Sequence, residues 1–130
     1  MAIVGIGIDL VDLDRAERLF DRHGDRALRR LLSPAEQAYV ESMVAPARHF
    51  AVRLAAKEAV YKALQTLPGA AGIGWRDIEV LRATGGRPGI QLHGNAARVA
   101  AALGPHWVHV TLTHPERTAG AVAVVERRDE

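Results

Sequence analysis

The sequence of 130 residues contains no cysteine, few aromatic residues and no long run of apolar residues. Without cysteine, the chain has no disulfides, thiolate metal sites or cysteine nucleophiles. No apolar stretch is long enough to cross a membrane as a helix, and the first nine residues lack the basic segment of a signal peptide. These absences predict a cytoplasmic protein that makes no membrane contact.

The composition is that of an ordinary globular protein with a slight excess of positive charge. Apolar residues make up 48% of the chain, which is enough for a packed core. The length predicts one domain that spans residues 1–130. The formal net charge is +2, and arginine supplies most of the positive side chains. Charge alone leaves nucleic acid, acidic proteins and polyphosphates open as partners.

Hydrophobic periodicity and turn signals divide the chain into strands and helices. The predicted strands are residues 3–9, 77–82, 90–93, 107–114 and 119–126. The predicted helices are residues 14–32, with a break at Gly24, 33–44, 48–64 and 95–103. The order mixes strands with helices and places hairpins towards the C-terminal end. We therefore predict an α+β fold in which a largely antiparallel sheet packs against the long central helix at residues 48–64.

The second predicted helix has a well-defined start. Ser33 is suited to cap the helix, Pro34 suits the first helical position, and Glu36 completes a capping box. This pattern predicts that the helix begins at Pro34.

The central helix has two faces of different character. One face is mostly alanine, and such small side chains let a helix approach its neighbour closely. In the first strand, Ile3, Gly5, Gly7 and Asp9 share one face, because side chains alternate along a strand. The two glycines also allow close approach. The pattern therefore predicts that the helix lies near this strand and that Glu58 comes close to Asp9.

Two carboxylates, Asp9 and Glu58, would meet in this arrangement. Such a pair repels unless a cation lies between, and Mg²⁺ prefers oxygen ligands together with substrate phosphates. Arg53, Lys57 and Lys62 flank Glu58 on the helix and would neutralise phosphate charge. Plainer interpretations fit the same spacing: Glu58 and Lys62 as a solvated ion pair, and Asp9 as a turn or cap residue. Spacing alone leaves the metal site open.

Three segments resemble those of the holo-acyl-carrier-protein synthases, which are 4′-phosphopantetheinyl transferases. The opening segment is Gly-Ile-Gly-Ile-Asp-Leu-Val at residues 5–11, with Arg15 six residues after Asp9. The central helix at residues 53–64 carries the pattern Arg-x-Ala-Ala-Lys-Glu-Ala-x-x-Lys-Ala. The late strand at residues 108–114 ends in Thr-His, and residues 77–80 and 86–88 follow the family order between them. The likeness extends over nearly the whole chain.

The resemblance implies that the chain moves the 4′-phosphopantetheine group of coenzyme A onto a serine of apo-acyl carrier protein, in fatty acid biosynthesis. The reaction releases 3′,5′-ADP and depends on Mg²⁺. The resemblance also implies a homotrimer with active sites at the subunit seams. The residues that it assigns are Asp9 and Glu58 as metal ligands, Glu58 and Lys62 as catalytic residues, and Arg53, Lys57, Gly86, Arg87, Pro88 and His114 as substrate-binding residues.

Two points of the implied mechanism stay open on sequence grounds. Glu58 would accept the serine proton either directly or through a bound water. Pro115 stands where the family often has threonine, and proline supplies no backbone N–H donor for a phosphate.

The first predicted helix carries arginines three and four residues apart, which would form one basic ridge on a continuous helix. They are Arg15, Arg18, Arg22, Arg26 and Arg29. One interpretation is a solvated face that Asp14, Glu17 and their acidic neighbours partly neutralise. The other is a docking surface for an acidic carrier protein, which the resemblance favours for Arg15, Arg18 and Arg22.

Two other classes of function compete with the transferase. A small basic RNA-binding module would use the arginine ridge on phosphates. Against it, aromatic residues make up only 5% of the chain, which is few for stacking bases, so we expect no nucleic-acid partner. A non-catalytic scaffold that assembles through the alanine face is the third class. It would consume no coenzyme A.

Overall fold

The computed structural model describes residues 1–82 and 86–129. Five strands and four α-helices follow one another as β1 Ala2–Asp12, α1 Leu13–Leu31, α2 Pro34–Glu41, α3 Pro46–Leu64, β2 Ile78–Arg82, β3 Pro88–Leu92, α4 Gly94–Ala101, β4 His106–Thr113 and β5 Thr118–Arg127. Two short 3₁₀ turns, Ala70–Gly72 and Trp75–Asp77, precede β2. All strand pairs are antiparallel, which confirms the α+β fold with antiparallel pairing.

The strands form two sheets where the sequence predicted one. The larger sheet has the order β1-β5-β4, and among the described residues β2 and β3 pair with each other in a separate hairpin. The sequence also predicts a turn at residues 84–89; its first two residues lie outside the described part of the chain, and its last two belong to β3.

The helices follow the predicted signals closely. Gly24 breaks α1 with φ 14° and ψ −100°, as predicted. The capping box of α2 is present, with Ser33 and Glu36 in their expected roles. The end predicted for α2, near Val44, is wrong because the helix stops at Glu41. The break leaves room for α3 to begin at Pro46, since proline suits the first turn of a helix.

Helix α3 packs against β1 and β5 on one side and against α1 and β2 on others. The contact with β1 depends on glycine. A Cβ atom at Gly7 would lie 1.8 Å from the carbonyl oxygen of Ala59, and one at Gly5 would lie 1.8 Å from that of Ala63. The predicted close approach between the alanine face and the first strand is confirmed.

Strand β1 departs from simple alternation near its start. The pairing register with β5 shifts between Ile3 and Gly5. This bulge moves Ile3 away from the face that Gly5, Gly7 and Asp9 share and onto the outer face with Ile6. The predicted placement of Ile3 was therefore wrong, because an inserted residue reverses the alternation.

The outer face of strand β1 is apolar and exposed. Ile3 and Ile6 are each 63% exposed, Ile8 is 61% and Leu10 is 68% exposed. Strand β4 adds Trp107, which is 45% exposed. Such a contiguous apolar surface is typical of an interface between proteins.

No helix among the described residues combines the length and apolar character that a membrane crossing requires.

Candidate active site

Strand β1 and helix α3 bring Asp9 and Lys62 into direct contact. The Lys62 ammonium donates to Asp9 Oδ1 at 3.0 Å and to the carbonyl oxygen of Ile8 at 3.0 Å. Glu58 lies one turn before Lys62 on α3, about 40° round the helix, and is half-buried. Lys62 therefore pairs with the strand carboxylate, and the solvated Glu58–Lys62 pair is not what forms. The predicted approach of Glu58 to Asp9 stays a prediction, since the contact that joins the two elements here is the one between Lys62 and Asp9.

The donor set of this cluster suits Mg²⁺ only with help from a substrate. Carboxylate oxygens are the ligands that Mg²⁺ prefers, and it commonly takes one or two of them together with phosphates and water. Within the described residues, no three metal-binding side chains lie close enough to form a site by themselves. A Mg²⁺ ion held by Asp9 and Glu58 would therefore need further oxygen ligands, such as those of a polyphosphate.

A cavity of 230 Å³ opens directly beside Glu58. Its walls are formed by Lys57, Glu58, Tyr61, Ile73, Gly74, Trp75 and Ile78. The wall opposite α3 is formed by residues 73–75, which end at the first residue of the second 3₁₀ turn, and by Ile78, the first residue of β2. The cavity therefore has apolar side chains on one wall and the polar side chains of α3 on the other.

Lys57 differs from its predicted role as a phosphate contact. Its side chain is only 1% exposed, and its ammonium forms an ion pair with Glu36 Oε1 at 2.7 Å. It also donates to the carbonyl oxygens of Trp75, at 3.0 Å, and Ile78. Burial lowers the pKa of Lys57, and the Glu36 carboxylate opposes that shift. An ammonium has three N–H donors, so these partners leave none for a substrate.

A second cavity, of 360 Å³, is basic. It brings together four of the predicted substrate-binding residues, namely Arg53, Gly86, Pro88 and His114. Arg87 is exposed and does not line it. The sequence reasoning missed Tyr39, Arg48, His49 and Arg82, which also line it. Helical spacing offered a signal for His49, which lies four residues before Arg53, whereas Tyr39 and Arg82 come from other elements.

Positive charges crowd this basic cavity. The guanidinium carbons of Arg53 and Arg82 lie 4.3 Å and 4.6 Å from the centre of the Tyr39 ring. Burial, then the charges of Arg53 and His114, lower the pKa of His49. Burial also lowers the pKa of Arg53, whose Nε atom is buried without a hydrogen-bond partner in the described structure. Cations gathered in this way favour an anionic ligand.

The arginines of α1 are exposed, but they do not form one ridge. Arg15, Arg18 and Arg22 precede the kink at Gly24, and Arg26 and Arg29 follow it. Asp14 and Glu17, two of the acids expected to neutralise them, instead contact Arg117, which immediately precedes β5. The three arginines before the kink are exposed, and Asp21 is exposed beside them.

Comparisons with known proteins agree on one family. A family model described as the 4′-phosphopantetheinyl transferase superfamily matches residues 5–120. The holo-[acyl-carrier-protein] synthase of Nitratidesulfovibrio vulgaris strain Hildenborough is 47% identical over 124 residues, which cover 95% of this chain and 98% of that one. The synthase of Koribacter versatilis is 43% identical over 125 residues, with the same coverage of both chains.

A solved structure shows that the likeness extends to the fold. The Helicobacter pylori holo-[acyl-carrier-protein] synthase in complex with coenzyme A superposes with a TM-score of 0.78 at 29% identity. The superposition covers 93% of this chain and 99% of that one.

Proposed function

Because the chain belongs to the 4′-phosphopantetheinyl transferase superfamily and transfers the 4′-phosphopantetheine group of coenzyme A to acyl carrier protein, we propose that Asp9 and Glu58 hold the Mg²⁺ ion that this transfer uses. The observation that carries the proposal is the contact of Asp9 with Lys62 at 3.0 Å, one helical turn after Glu58. Each of these side chains has a distinct task in the transfer.

In the transfer, the carrier serine oxygen forms a bond to the phosphorus that bears pantetheine, and the bond from that phosphorus to 3′,5′-ADP breaks. When bound, Mg²⁺ would offset the negative charge of the pyrophosphate. Lys62 contacts a phosphate oxygen and steadies the developing charge. Glu58 accepts the proton of the serine hydroxyl, directly or through a water.

The basic cavity is proposed to hold the nucleotide end of coenzyme A. Arg53 and His114 bind its phosphates there, together with Arg48 and His49, while Gly86 and Pro88 lie beside the adenine. The buried Nε of Arg53, without a partner in the described structure, supports an anion at this place. The crowded cations around Arg53 lose their mutual repulsion when an anion enters.

Metal dependence is the experiment that tests the proposed site. Chelation of Mg²⁺ is expected to abolish the gain of a phosphopantetheine group on apo-acyl carrier protein, measured by mass spectrometry. Asp9→Asn removes one of two ligand charges, so it should raise the Mg²⁺ concentration for half-maximal rate at least about tenfold. Asp25→Asn, at an exposed carboxylate of α1, is the control. An unchanged Mg²⁺ requirement in Asp9→Asn contradicts the proposal.

We extend the proposal to a homotrimer whose seams complete the site. Arg53 and Glu58 are five residues apart, so their side chains leave α3 about 140° apart. One coenzyme A molecule reaches both most directly when the basic cavity of one copy faces Glu58 of another. The exposed apolar face of β1 supplies a surface for such contacts.

Ile8→Asp tests this assembly, because Ile8 lies in the middle of the outer face. A buried charge there is strongly unfavourable. The variant should therefore sediment with the mass of one chain, whereas the wild type should sediment with the mass of three chains. Val44→Asp, at a fully exposed apolar residue away from the sheet, should leave the mass unchanged. A wild-type chain that sediments as a monomer at assay concentration would rule the trimer out.

The acidic carrier protein is proposed to dock on Arg15, Arg18 and Arg22. The double variant Arg15→Glu and Arg22→Glu should raise the KM for the carrier about tenfold or more at low salt, with the KM for coenzyme A unchanged. Arg98→Glu, at an exposed arginine of α4, is the matched control. Equal carrier KM values in the double variant and the wild type would disprove docking at this surface.

The RNA-binding alternative gains no support, because the relatives described above are holo-acyl-carrier-protein synthases. A cytoplasmic location stays a prediction from the sequence.

A further inference from the structure

A buried ion pair lies behind the cavity wall beside Glu58. Lys57 and Glu36 are each only 1% exposed, and their charged atoms are 2.7 Å apart. The sequence predicted Glu36 only as part of a helix cap. A charge buried this deeply is costly unless each of its partners is in place, so the contacts of the pair indicate what it holds.

Glu36 connects three elements through its two carboxylate oxygens. Oε1 accepts from the backbone N–H of Ser33 at 2.8 Å and from Lys57. Oε2 accepts from the backbone N–H of Val80 in β2 at 2.8 Å. Glu36 therefore fixes the start of α2, a turn of α3 and the middle of β2 relative to one another.

Lys57 extends this connection to the cavity. Its ammonium donates to the carbonyl oxygens of Trp75 and Ile78, which belong to the wall opposite α3. Lys57 immediately precedes Glu58 in the chain, so the tether joins the wall to the helical turn that carries the proposed catalytic carboxylate. Without the Glu36 carboxylate, the ammonium would be buried without a countercharge.

We infer that Glu36 is a positioning residue for the transfer reaction: through Lys57, it sets the distance between Glu58 and the Trp75–Ile78 wall of the cavity. This inference rests on the proposed role of Glu58. A substrate group held between the wall and Glu58 reacts only when its alignment is right, and an error of about 1 Å costs up to about 100-fold in rate. Loss of the tether therefore lowers kcat, whereas the nucleotide end of coenzyme A keeps its contacts in the basic cavity.

Two variants separate positioning from stability. Glu36→Gln leaves one side-chain oxygen for three donors, so it should lower kcat about 10- to 100-fold, with the KM for coenzyme A within about threefold of wild type. Ser33→Ala removes the serine part of the same helix cap and the hydroxyl that donates to Glu79 Oε2, but it leaves the Glu36–Lys57 pair. It should lower the melting temperature by a few degrees and keep kcat within about twofold.

The double variant Glu36→Gln with Lys57→Met distinguishes a positioning role of the ion pair from a purely structural one. It does so even if Glu36→Gln alone folds poorly. Removal of the unpaired ammonium should reverse most of the decrease in melting temperature that Glu36→Gln causes. The carbonyls of Trp75 and Ile78 still lack their tether, so kcat should stay at least about tenfold low. If kcat returns to the wild-type value with the melting temperature, the pair is only structural and the inference is wrong. Failure of the proposed site itself would show in a different variant, as full turnover by Glu58→Gln.

Discussion

Replacement of Glu58 by glutamine is expected to lower kcat for phosphopantetheine transfer by about 100- to 10,000-fold, because the amide does not accept the serine proton and is a poorer ligand for Mg²⁺. Glu58 is half-buried at the mouth of the cavity formed with Tyr61 and Trp75. Glutamine has the same shape, so the fold should persist with a nearly unchanged melting temperature. Mass spectrometry of apo-acyl carrier protein over time measures the rate.

Glu41→Gln is the matched control for this result. Glu41 is an exposed glutamate at the end of α2, outside both cavities, so its substitution should leave kcat unchanged. A Glu58→Gln enzyme that needs the same Mg²⁺ concentration and retains full turnover would exclude Glu58 from catalysis.

Substitution of Gly7 by alanine is expected to produce the largest loss of stability of any conservative change at the site. The added Cβ would lie 1.8 Å from the backbone oxygen of Ala59. That oxygen belongs to the hydrogen-bonded backbone of α3, so no side-chain rotation relieves the clash and the helix has to move away from β1. Overpacking of this kind costs about 3 kcal/mol or more, which lowers the melting temperature by about 10 °C.

The same movement should also separate the two halves of the proposed metal site. Asp9 lies two residues after Gly7 on β1, and Lys62 contacts it from α3. Gly7→Ala should therefore raise the Mg²⁺ requirement as well as lower the melting temperature measured by circular dichroism. Gly72→Ala is the control, because its Cβ would meet only the Asn95 side chain at 3.8 Å. Equal melting temperatures for the two variants would show that α3 does not pack closely against Gly7.

Local sequence signals determined most of the secondary structure. These signals act within one element or at one contact, so their effects can be predicted without knowledge of the fold. They are the capping box at Ser33, the break at Gly24 and the glycines of β1. For the proposed metal ligands, Asp9 and Glu58, local patterns indicated only that strand and helix pack closely, and the assignment as ligands came from the resemblance to the transferase family. The bulge near Ile3 was not predicted from the sequence, since a register shift depends on the partner strand.

Only the tertiary structure decided which charges work together. Glu36 and Lys57 are 21 residues apart in the sequence, which predicts a helix cap for the first and a substrate contact for the second, yet the fold buries them as one ion pair. Likewise, Arg53, Arg82 and Tyr39 meet in one cavity from three separate elements. The physical reason is that the energy of a charge depends on its burial and on neighbours distant in sequence, whereas helix caps and glycine contacts depend on residues a few positions away.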